Sequence, residues 1–181
     1  TADRQALALS LLDCLASPDP ALRDGISFEA WSTWLRADAI DLPTRQLALS
    51  RLQSQIAPTA TDVAGFRQPF AALVLSEIAR TDRKQAWLEP QQRAGLVEAA
   101  ARYLESVRDY RGFVAGEGWR HGVAHGSDLL MQLALNPALD KAQLDRILAA
   151  VAAQVAPPGH AYVFGEAERL ARPALYVAVR G

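Results

Sequence analysis

The sequence predicts an all-α fold of about eight helices. Apolar residues recur at three- and four-residue spacing along almost the whole chain, which is the period of a helix that buries one face. β-branched residues are sparse, and proline or aspartate stands at most of the points where a helix would begin or end. The chain has 181 residues, 50% of them hydrophobic and 22% charged, which is the balance of a single globular domain covering residues 1–181.

The first four helices are marked by their starts and stops. Proline is tolerated in a first helical turn because its missing N–H has no partner there, and an aspartate before that turn can accept from the free N–H groups. The predicted elements are helix one from about Asp3 to Ser17, stopped by Pro18; helix two after Asp19, with Pro20 at its first position; helix three, opened by Asp41 and Pro43 and ending near Pro58; and helix four, capped by Asp62 and carrying FRQPFAALVLSEIA.

The last four helices are marked by the same types of residue at their starts and ends. They are helix five, from Pro90 to about Arg108; helix six, GWRHGVAHGSDLLMQLAL, closed by Asn136 and Pro137; helix seven, capped by Asp140 and ending at Pro157 and Pro158; and helix eight, from about Glu166 to Val179. Pro173 lies inside helix eight and is expected to kink it, because a proline ring clashes with the preceding turn.

An arginine opens each even-numbered helix, which suggests a repeat. These arginines are separated by 44, 53 and 49 residues and are Arg23, Arg67, Arg120 and Arg169. The spacing is close to the roughly 40 to 47 residues of HEAT and armadillo units, in which two antiparallel helices form each repeat. The sequence therefore predicts stacked antiparallel pairs in a HEAT-like superhelix whose second helices line one concave surface. An irregular helical bundle is the alternative.

Helix six has one polar and one apolar face when its residues are placed at 100° intervals. The polar face contains Glu117, His121, His125, Asp128 and Gln132. Gly118, Gly122 and Gly126 each weaken a helix by roughly 1 kcal/mol relative to alanine, so we expect another backbone or a ligand to approach closely there.

His121 and His125 have the i, i+4 spacing with which two histidines on one helix can share a metal ion. A third ligand would have to come from another helix, and the candidates are Glu166, Glu168 and His160. The alternatives are a hydrogen-bonded network and a ligand-binding surface. A neighbouring carboxylate would raise the pKa of either histidine, whereas burial alone would lower it.

The stretch RDYRGFVAGEGWRHGVAHGSDLL resembles the signature of a family of uncharacterised bacterial proteins known only as a domain of unknown function. The matching positions are Arg111-Gly112, Gly118-Trp119, His121 and Ala124 to Leu130, with Leu22-Arg23-Asp24 and Gly165-Glu166-x-Glu168-Arg169-Leu170 as outer motifs. The chain departs from that family at Ala167, where a second acidic residue is usual, and at Arg120, where alanine or serine is usual. The resemblance implies an all-helical, HEAT-like domain and brings no substrate or reaction.

The remaining conspicuous residues have structural interpretations. Arg23 and Asp24 are expected to form an ion pair or a cap interaction at the start of helix two. Four side chains on helix eight predict a solvated polar stripe: Glu168, Arg169, Arg172 and Tyr176. All four tryptophans are expected in the core because indole rings bury a large area; they are Trp31, Trp34, Trp87 and Trp119.

The balance of these observations predicts a binding or scaffold module with a polar concave groove for a protein, a peptide or an acidic small molecule. The predicted binding residues are Arg23, Asp24, Arg67, His121, His125, Asp128, Glu168 and Arg169. With three arginines around Asp128, the groove would be locally cationic and suit a carboxylate. Alternatively, each arginine pairs with an acidic residue of its own repeat and the groove is neutral.

The second hypothesis is a metal-dependent hydrolase in which His121 and His125 bind zinc or another divalent metal and Glu117 or Asp128 acts as base. The first hypothesis involves no cofactor. A net charge of −1 disfavours general nucleic-acid binding, and no apolar stretch approaches the length of a transmembrane segment. The chain begins at Thr1 rather than at a methionine, so export after signal removal is slightly favoured over a cytoplasmic location.

Overall fold

The prediction of an all-α fold is confirmed by a computed structural model, which describes residues 1–180. The helices are α1 (Ala2–Cys14), α2 (Glu29–Arg36), α3 (Leu42–Gln55), α4 (Arg67–Lys84), α5 (Pro90–Ser106), α6 (Gly122–Ala134), α7 (Lys141–Ala152) and α8 (Glu166–Arg180). A π-helical segment, Ala21–Phe28, runs directly into α2. Two short strands, β1 (Phe113–Val114) and β2 (Gly118–Trp119), form an antiparallel hairpin between α5 and α6.

Most predicted helix starts are explained by the capping chemistry that the sequence shows. Asp41 accepts a hydrogen bond from the N–H of Thr44 at 2.9 Å. Asp140 and Gln143 form a reciprocal capping box at the start of α7. Asp62 also caps its helix, because its carboxylate accepts from the N–H of Gln68 at 2.8 Å. Side-chain acceptors before a first turn therefore fix the helix starts.

The helices pack in two rows. One row consists of α2, α4, α6 and α8, in which α4 contacts α2 and α6, and α6 also contacts α8. The other row is formed by α1 with α3 and by α5 with α7. Across the rows, α3 packs on α4, α5 on α6 and α7 on α8, so successive helices form pairs. The likeness of these pairs to HEAT units stays a prediction.

The apolar core lies between the two rows and is most complete along α4 and α6. Trp31 of α2 is fully buried, and its indole N–H donates to the carbonyl of Ala8 at 2.9 Å. Leu75 of α4 and Leu130 of α6 are also fully buried. Removing such apolar side chains from water is the main driving force for this packing.

A buried ion pair ties the end of α4 to α5 and to the loop after α6. The Asp82 carboxylate is 2% exposed, accepts from Arg93 Nε at 2.7 Å and Nη2 at 3.0 Å, and also accepts from the side-chain amide of Asn136 at 2.8 Å. The N–H groups of Trp87 and Leu88 complete its shell at 2.9 and 2.8 Å. Every oxygen of this carboxylate is thus satisfied without water.

Three predicted helix features need correction. Helix two is a π-helical segment at first, so its turns are wider than the periodicity assumed. Helix six begins at Gly122 rather than at Gly118. Helix seven ends at Ala152, five residues before Pro157, because the chain turns there without a proline.

Within residues 1–180, no helix combines the length and the apolar character needed to cross a membrane.

Candidate functional site

The hairpin replaces the first turn of predicted helix six. Gly116 and Gly118 have φ angles of 83° and 80°, which lie in the left-handed region that glycine adopts without strain. These two residues turn the chain, so Phe113 pairs with Trp119 across the strands. Glu117 consequently lies in the turn, and its predicted place on the polar face of helix six is wrong.

Gly122 and Gly126 remain helical, and the atoms that approach them closely belong mainly to side chains, which the sequence did not predict. A Cβ atom on Gly126 would lie 3.1 Å from Tyr103 Cε1, and one on Gly122 would lie 3.4 Å from Tyr103 Oη. The Tyr103 ring of α5 therefore approaches both glycines, and Gly122 is also approached by the Val107 side chain and by the Asp109 carbonyl oxygen, at 3.3 and 3.6 Å from its Cβ position.

Arg23 is the most deeply buried charge in this region. Its guanidinium is 0% exposed and donates to Asp24 Oδ1 at 2.8 Å, to the Ser17 carbonyl at 2.9 Å and to the Glu117 carbonyl at 2.9 Å. The ion pair expected between Arg23 and Asp24 is confirmed. Burial raises the pKa of Asp24, and Arg23 opposes this effect.

Arg120 completes a connection between the hairpin and the start of α4. Its Nε donates to the Ala64 carbonyl at 2.9 Å and its Nη2 to Glu117 Oε2 at 2.7 Å. The guanidinium carbons of Arg120 and Arg23 each lie 4.1 Å from the centroid of the Phe66 ring. The hairpin is therefore held by two arginines around one aromatic ring, Arg23 at its turn and Arg120 at its base.

His121 immediately precedes α6 and has a left-handed backbone with φ of 55°. Its Nε2 lies 3.8 Å from Glu166 Oε1 and makes no hydrogen bond within residues 1–180. The imidazole packs against the Trp119 ring, with the centroids 4.2 Å apart. Burial lowers the pKa of His121 despite the opposing charge of Glu166. The imidazole is therefore neutral at neutral pH.

His125 lies deeper, between α6 and the start of α4. Its Nδ1 is 3.2 Å from the Pro69 carbonyl, and its ring meets the Phe70 ring edge-on at 5.2 Å. Burial lowers the pKa of His125 to about 3, with smaller effects from His121 and Arg169 in the same direction. The sequence left open whether a carboxylate raises the histidine pKa or burial lowers it, and in the structure the effect of burial is the larger for both histidines.

This pKa makes a prediction about stability. In the unfolded chain, His125 binds a proton below a pKa of about 6.5, whereas in the folded protein it stays neutral. Acid therefore favours the unfolded chain, and His125 lowers the free energy of unfolding by about 2 kcal/mol at about pH 5. Urea unfolding of the wild type and His125→Gln between about pH 5 and 8 should give curves that diverge toward acid. Parallel curves would contradict the assignment of a buried neutral His125.

Asp128 and Arg169 join α6 to α8. They form an ion pair in which the Asp128 side chain is 13% exposed and the Arg169 side chain 34% exposed. Burial raises the pKa of Asp128, and Arg169 opposes the shift. This pair crosses between two helical pairs, whereas Arg23 and Arg120 pair with acidic residues close to them in sequence.

The predicted binding residues therefore separate into groups. Arg23 and Asp24 lie beneath the hairpin, whereas His121, His125, Asp128 and Arg169 lie where α6 meets α8. Arg67 makes no polar side-chain contact within residues 1–180, and Glu168 pairs with Arg172 at 2.6 Å on the exposed face of α8. The prediction of one open groove lined by all of these residues is wrong, because Arg23, His121 and His125 are buried. Their contact with a ligand stays a prediction.

The metal hypothesis requires three converging ligands. Within residues 1–180, no group of three or more histidine, cysteine, aspartate or glutamate side chains is placed to hold a metal ion. Of the three candidates for a third ligand, only Glu166 is close to His121. His160 instead stacks on Tyr110, with the ring centroids 4.7 Å apart. The geometry therefore gives the zinc-hydrolase hypothesis no support.

A cleft that the sequence did not predict lies beside the hairpin. It has a volume of about 490 Å³, is lined by residues 108–114, His160 and Phe164, and is named the hairpin cleft below. Phe113, Phe164 and Trp119 are 48%, 41% and 37% exposed, so the prediction of a core position for Trp119 is wrong. The segment FVAGEGW carried the signal, because aromatic residues flank a glycine-rich turn.

Comparison with known proteins identifies a family but no function. The family described as "Protein of unknown function (DUF2785)" matches residues 52–181. The resemblance to an uncharacterised domain family is confirmed to that extent, and the early motif around Arg23 lies outside the matched region. The detailed signature and a bacterial origin stay predictions. No curated protein and no solved structure matched the chain.

Proposed function

Because the chain belongs to the DUF2785 family, whose description assigns no function, we propose from its geometry that it is a peptide-binding module. The hairpin cleft binds an acidic peptide segment that carries an aromatic or large aliphatic side chain. The observation that carries this proposal is the cluster of exposed aromatic rings at a concave surface.

The three exposed aromatic rings form one continuous patch, in which Phe113 and Phe164 line the hairpin cleft and Trp119 lies beside it. The Phe113 and Trp119 centroids are 5.2 Å apart, and the Trp119 and Phe164 centroids are 5.8 Å apart. The Phe164 ring rests on Gly112, where a Cβ atom would lie 2.1 Å from Phe164 Cδ2. Aromatic side chains grouped at a concave surface are typical anchors of protein interfaces, since they bury much area at little entropic cost.

The charges along the cleft favour an acidic ligand. Arg111 pairs with Asp109, so these two charges cancel. Arg108 donates only to the main-chain carbonyls of Glu105 and Val107, both at 2.7 Å, and no carboxylate in residues 1–180 pairs with it. Its positive charge therefore remains available to a ligand carboxylate, which an arginine can bind through two hydrogen bonds.

In this proposal, polar residues that the sequence predicted as ligand contacts instead hold the hairpin in place. Arg23 holds the Glu117 carbonyl, and the N–H of Arg120 donates to the Gly112 carbonyl at 3.0 Å, so the hairpin is fixed at both ends. A surface that is already ordered loses less entropy on binding. The proposal involves no metal or cofactor, and it does not extend to nucleic acids.

A peptide selection tests this function. We expect phage-displayed peptides selected on the wild type to be rich in aspartate or glutamate next to an aromatic residue, and synthetic copies to bind with micromolar affinity in fluorescence anisotropy. Phe113→Ser with Phe164→Ser should weaken binding by at least about tenfold, since each exposed ring contributes on the order of 1 kcal/mol or more. Arg108→Gln should weaken the acidic peptides selectively.

The matched control removes exposed apolar side chains elsewhere. Leu175 and Val179 of α8 are 60% and 75% exposed, and Leu175→Ser with Val179→Ser should leave peptide affinity unchanged. Selected peptides that bind the cleft variant as well as the wild type would place the binding surface elsewhere.

A further inference from the structure

A second cleft lies at the other end of α4, remote from the hairpin. It has a volume of about 190 Å³ and is formed by the end of α2, the start of α3 and the last turns of α4. Its basic residues are Arg36, Arg45, Arg80 and Lys84, and it is named the basic cleft below. With a rise of 1.5 Å per residue, about 20 Å of helix separates Arg80 from Arg67, near the hairpin.

Two of the four cations already have partners. Arg36 donates to both carboxylate oxygens of Glu77, at 3.0 and 2.5 Å. Arg45 pairs with Asp38 and donates its Nε to the Ile40 carbonyl at 2.8 Å. These contacts fix the walls of the cleft and neutralise their own charges.

Arg80 and Lys84 make no ion pair or side-chain hydrogen bond with any residue of 1–180, although both line the same cleft. They are four residues apart on α4 and therefore lie on the same face of the helix. A cation in the last turn of a helix is stabilised by the helix dipole, which accounts for Lys84. Arg80 lies a turn earlier and is half-buried, so two uncompensated charges remain side by side in a concave site.

An apolar extension adjoins the basic cleft. A neighbouring cleft of about 300 Å³ shares Asp38, Arg45 and Gln85 with it. Its remaining lining is apolar apart from one carboxylate and consists of Ile40, Asp41, Leu42, Ala86 and Trp87. The Leu42 side chain is 46% exposed. The two clefts together offer a cationic end and an apolar end for one elongated ligand.

We propose that the basic cleft and its apolar extension bind a small organic phosphate. The phosphate, with a charge of about −1.5 to −2 at neutral pH, is bound between Arg80 and Lys84 and offsets their two charges. A flat or apolar group attached to it lies along Leu42 toward Trp87. This site is independent of the hairpin cleft and of peptide binding.

Calorimetric titration with three probes tests the proposal: adenosine monophosphate, inorganic phosphate and adenosine. We expect adenosine monophosphate to bind at least about tenfold more tightly than either of its parts, because both ends of the site contribute. Arg80→Gln with Lys84→Gln should weaken adenosine monophosphate and phosphate by at least about tenfold, and Leu42→Ser should weaken only adenosine monophosphate.

The matched control removes the same charge from another surface. Arg102 is exposed and Arg172 is partly exposed, and they pair with Glu98 and Glu168, respectively. Arg102→Gln with Arg172→Gln therefore changes the net charge equally without touching either cleft. This variant should bind all probes as the wild type does. The proposal is overturned if no phosphate probe binds at millimolar concentration, if the control loses as much affinity as Arg80→Gln with Lys84→Gln, or if that double variant keeps wild-type affinity.

Discussion

Replacing Asp82 by asparagine is expected to lower the free energy of unfolding by about 3–5 kcal/mol, the largest effect of any single substitution considered. The change leaves the Arg93 guanidinium buried without its counterion. The NH₂ group of the new asparagine would also face other donors, which are the N–H groups of Trp87 and Leu88 or the side-chain amide of Asn136. Urea unfolding near neutral pH measures the effect. Asp145→Asn is the control, because Asp145 is exposed and pairs only with Lys141.

The same variant should show a characteristic pH dependence. Burial tends to raise the pKa of Asp82, but hydrogen bonds from Arg93 and from the N–H groups of Leu88 and Trp87 outweigh it, so the pKa lies below its ordinary value. The ionised carboxylate therefore contributes stability above the unfolded pKa of about 3.9 and loses it as the pH falls through the folded pKa. The stability difference between wild type and Asp82→Asn should shrink in acid. A difference below about 1 kcal/mol at neutral pH would contradict the structural role given to this carboxylate.

Arg23→Met is expected to destabilise the fold by about 3 kcal/mol and to loosen the hairpin. Methionine fills most of the volume but leaves the carbonyls of Ser17 and Glu117 without their donor and Asp24 without its counterion. Hydrogen exchange should quicken at the amides of Arg120 and His121, which donate to the Gly112 and Arg111 carbonyls at the base of the hairpin.

Arg67→Met provides the control for this substitution. Arg67 makes no polar side-chain contact within residues 1–180, so its replacement should change the free energy of unfolding by less than about 0.5 kcal/mol. Equal effects of the two substitutions, or hairpin amides that exchange at the wild-type rate in Arg23→Met, would show that Arg23 does not hold the hairpin.

The helices could be predicted because their signals are local. Asp41, Asp62 and Asp140 act on N–H groups three to six residues away, within the reach of a sequence pattern. The contacts of Asp82 could not be predicted in the same way. Its partner Asn136 is 54 positions away in the sequence and is brought close only by the packing of α4 against α6.

The sequence predicted polar residues that lie together in the structure, but none of the eight predicted binding residues lines the hairpin cleft. His121 and Glu166 were both singled out and do lie together, at 3.8 Å. The predicted helical period nevertheless reaches back to Glu117, whereas the positive φ angles of Gly116 and Gly118 on either side belong to a turn. This error placed Glu117 and Trp119 on helix faces. The hairpin cleft depends on that turn and on Phe164 from a distant loop, so no periodicity could reveal it.

Chemical-shift mapping tests whether the hairpin cleft binds peptides while the buried polar residues support it. A selected acidic peptide is titrated into ¹⁵N-labelled protein, and the amide shifts are followed. We expect the largest shifts at residues 108–114, His160 and Phe164, and no shifts at the remote ends of α2 and α4. Saturating binding with shifts confined to other surfaces would contradict this expectation.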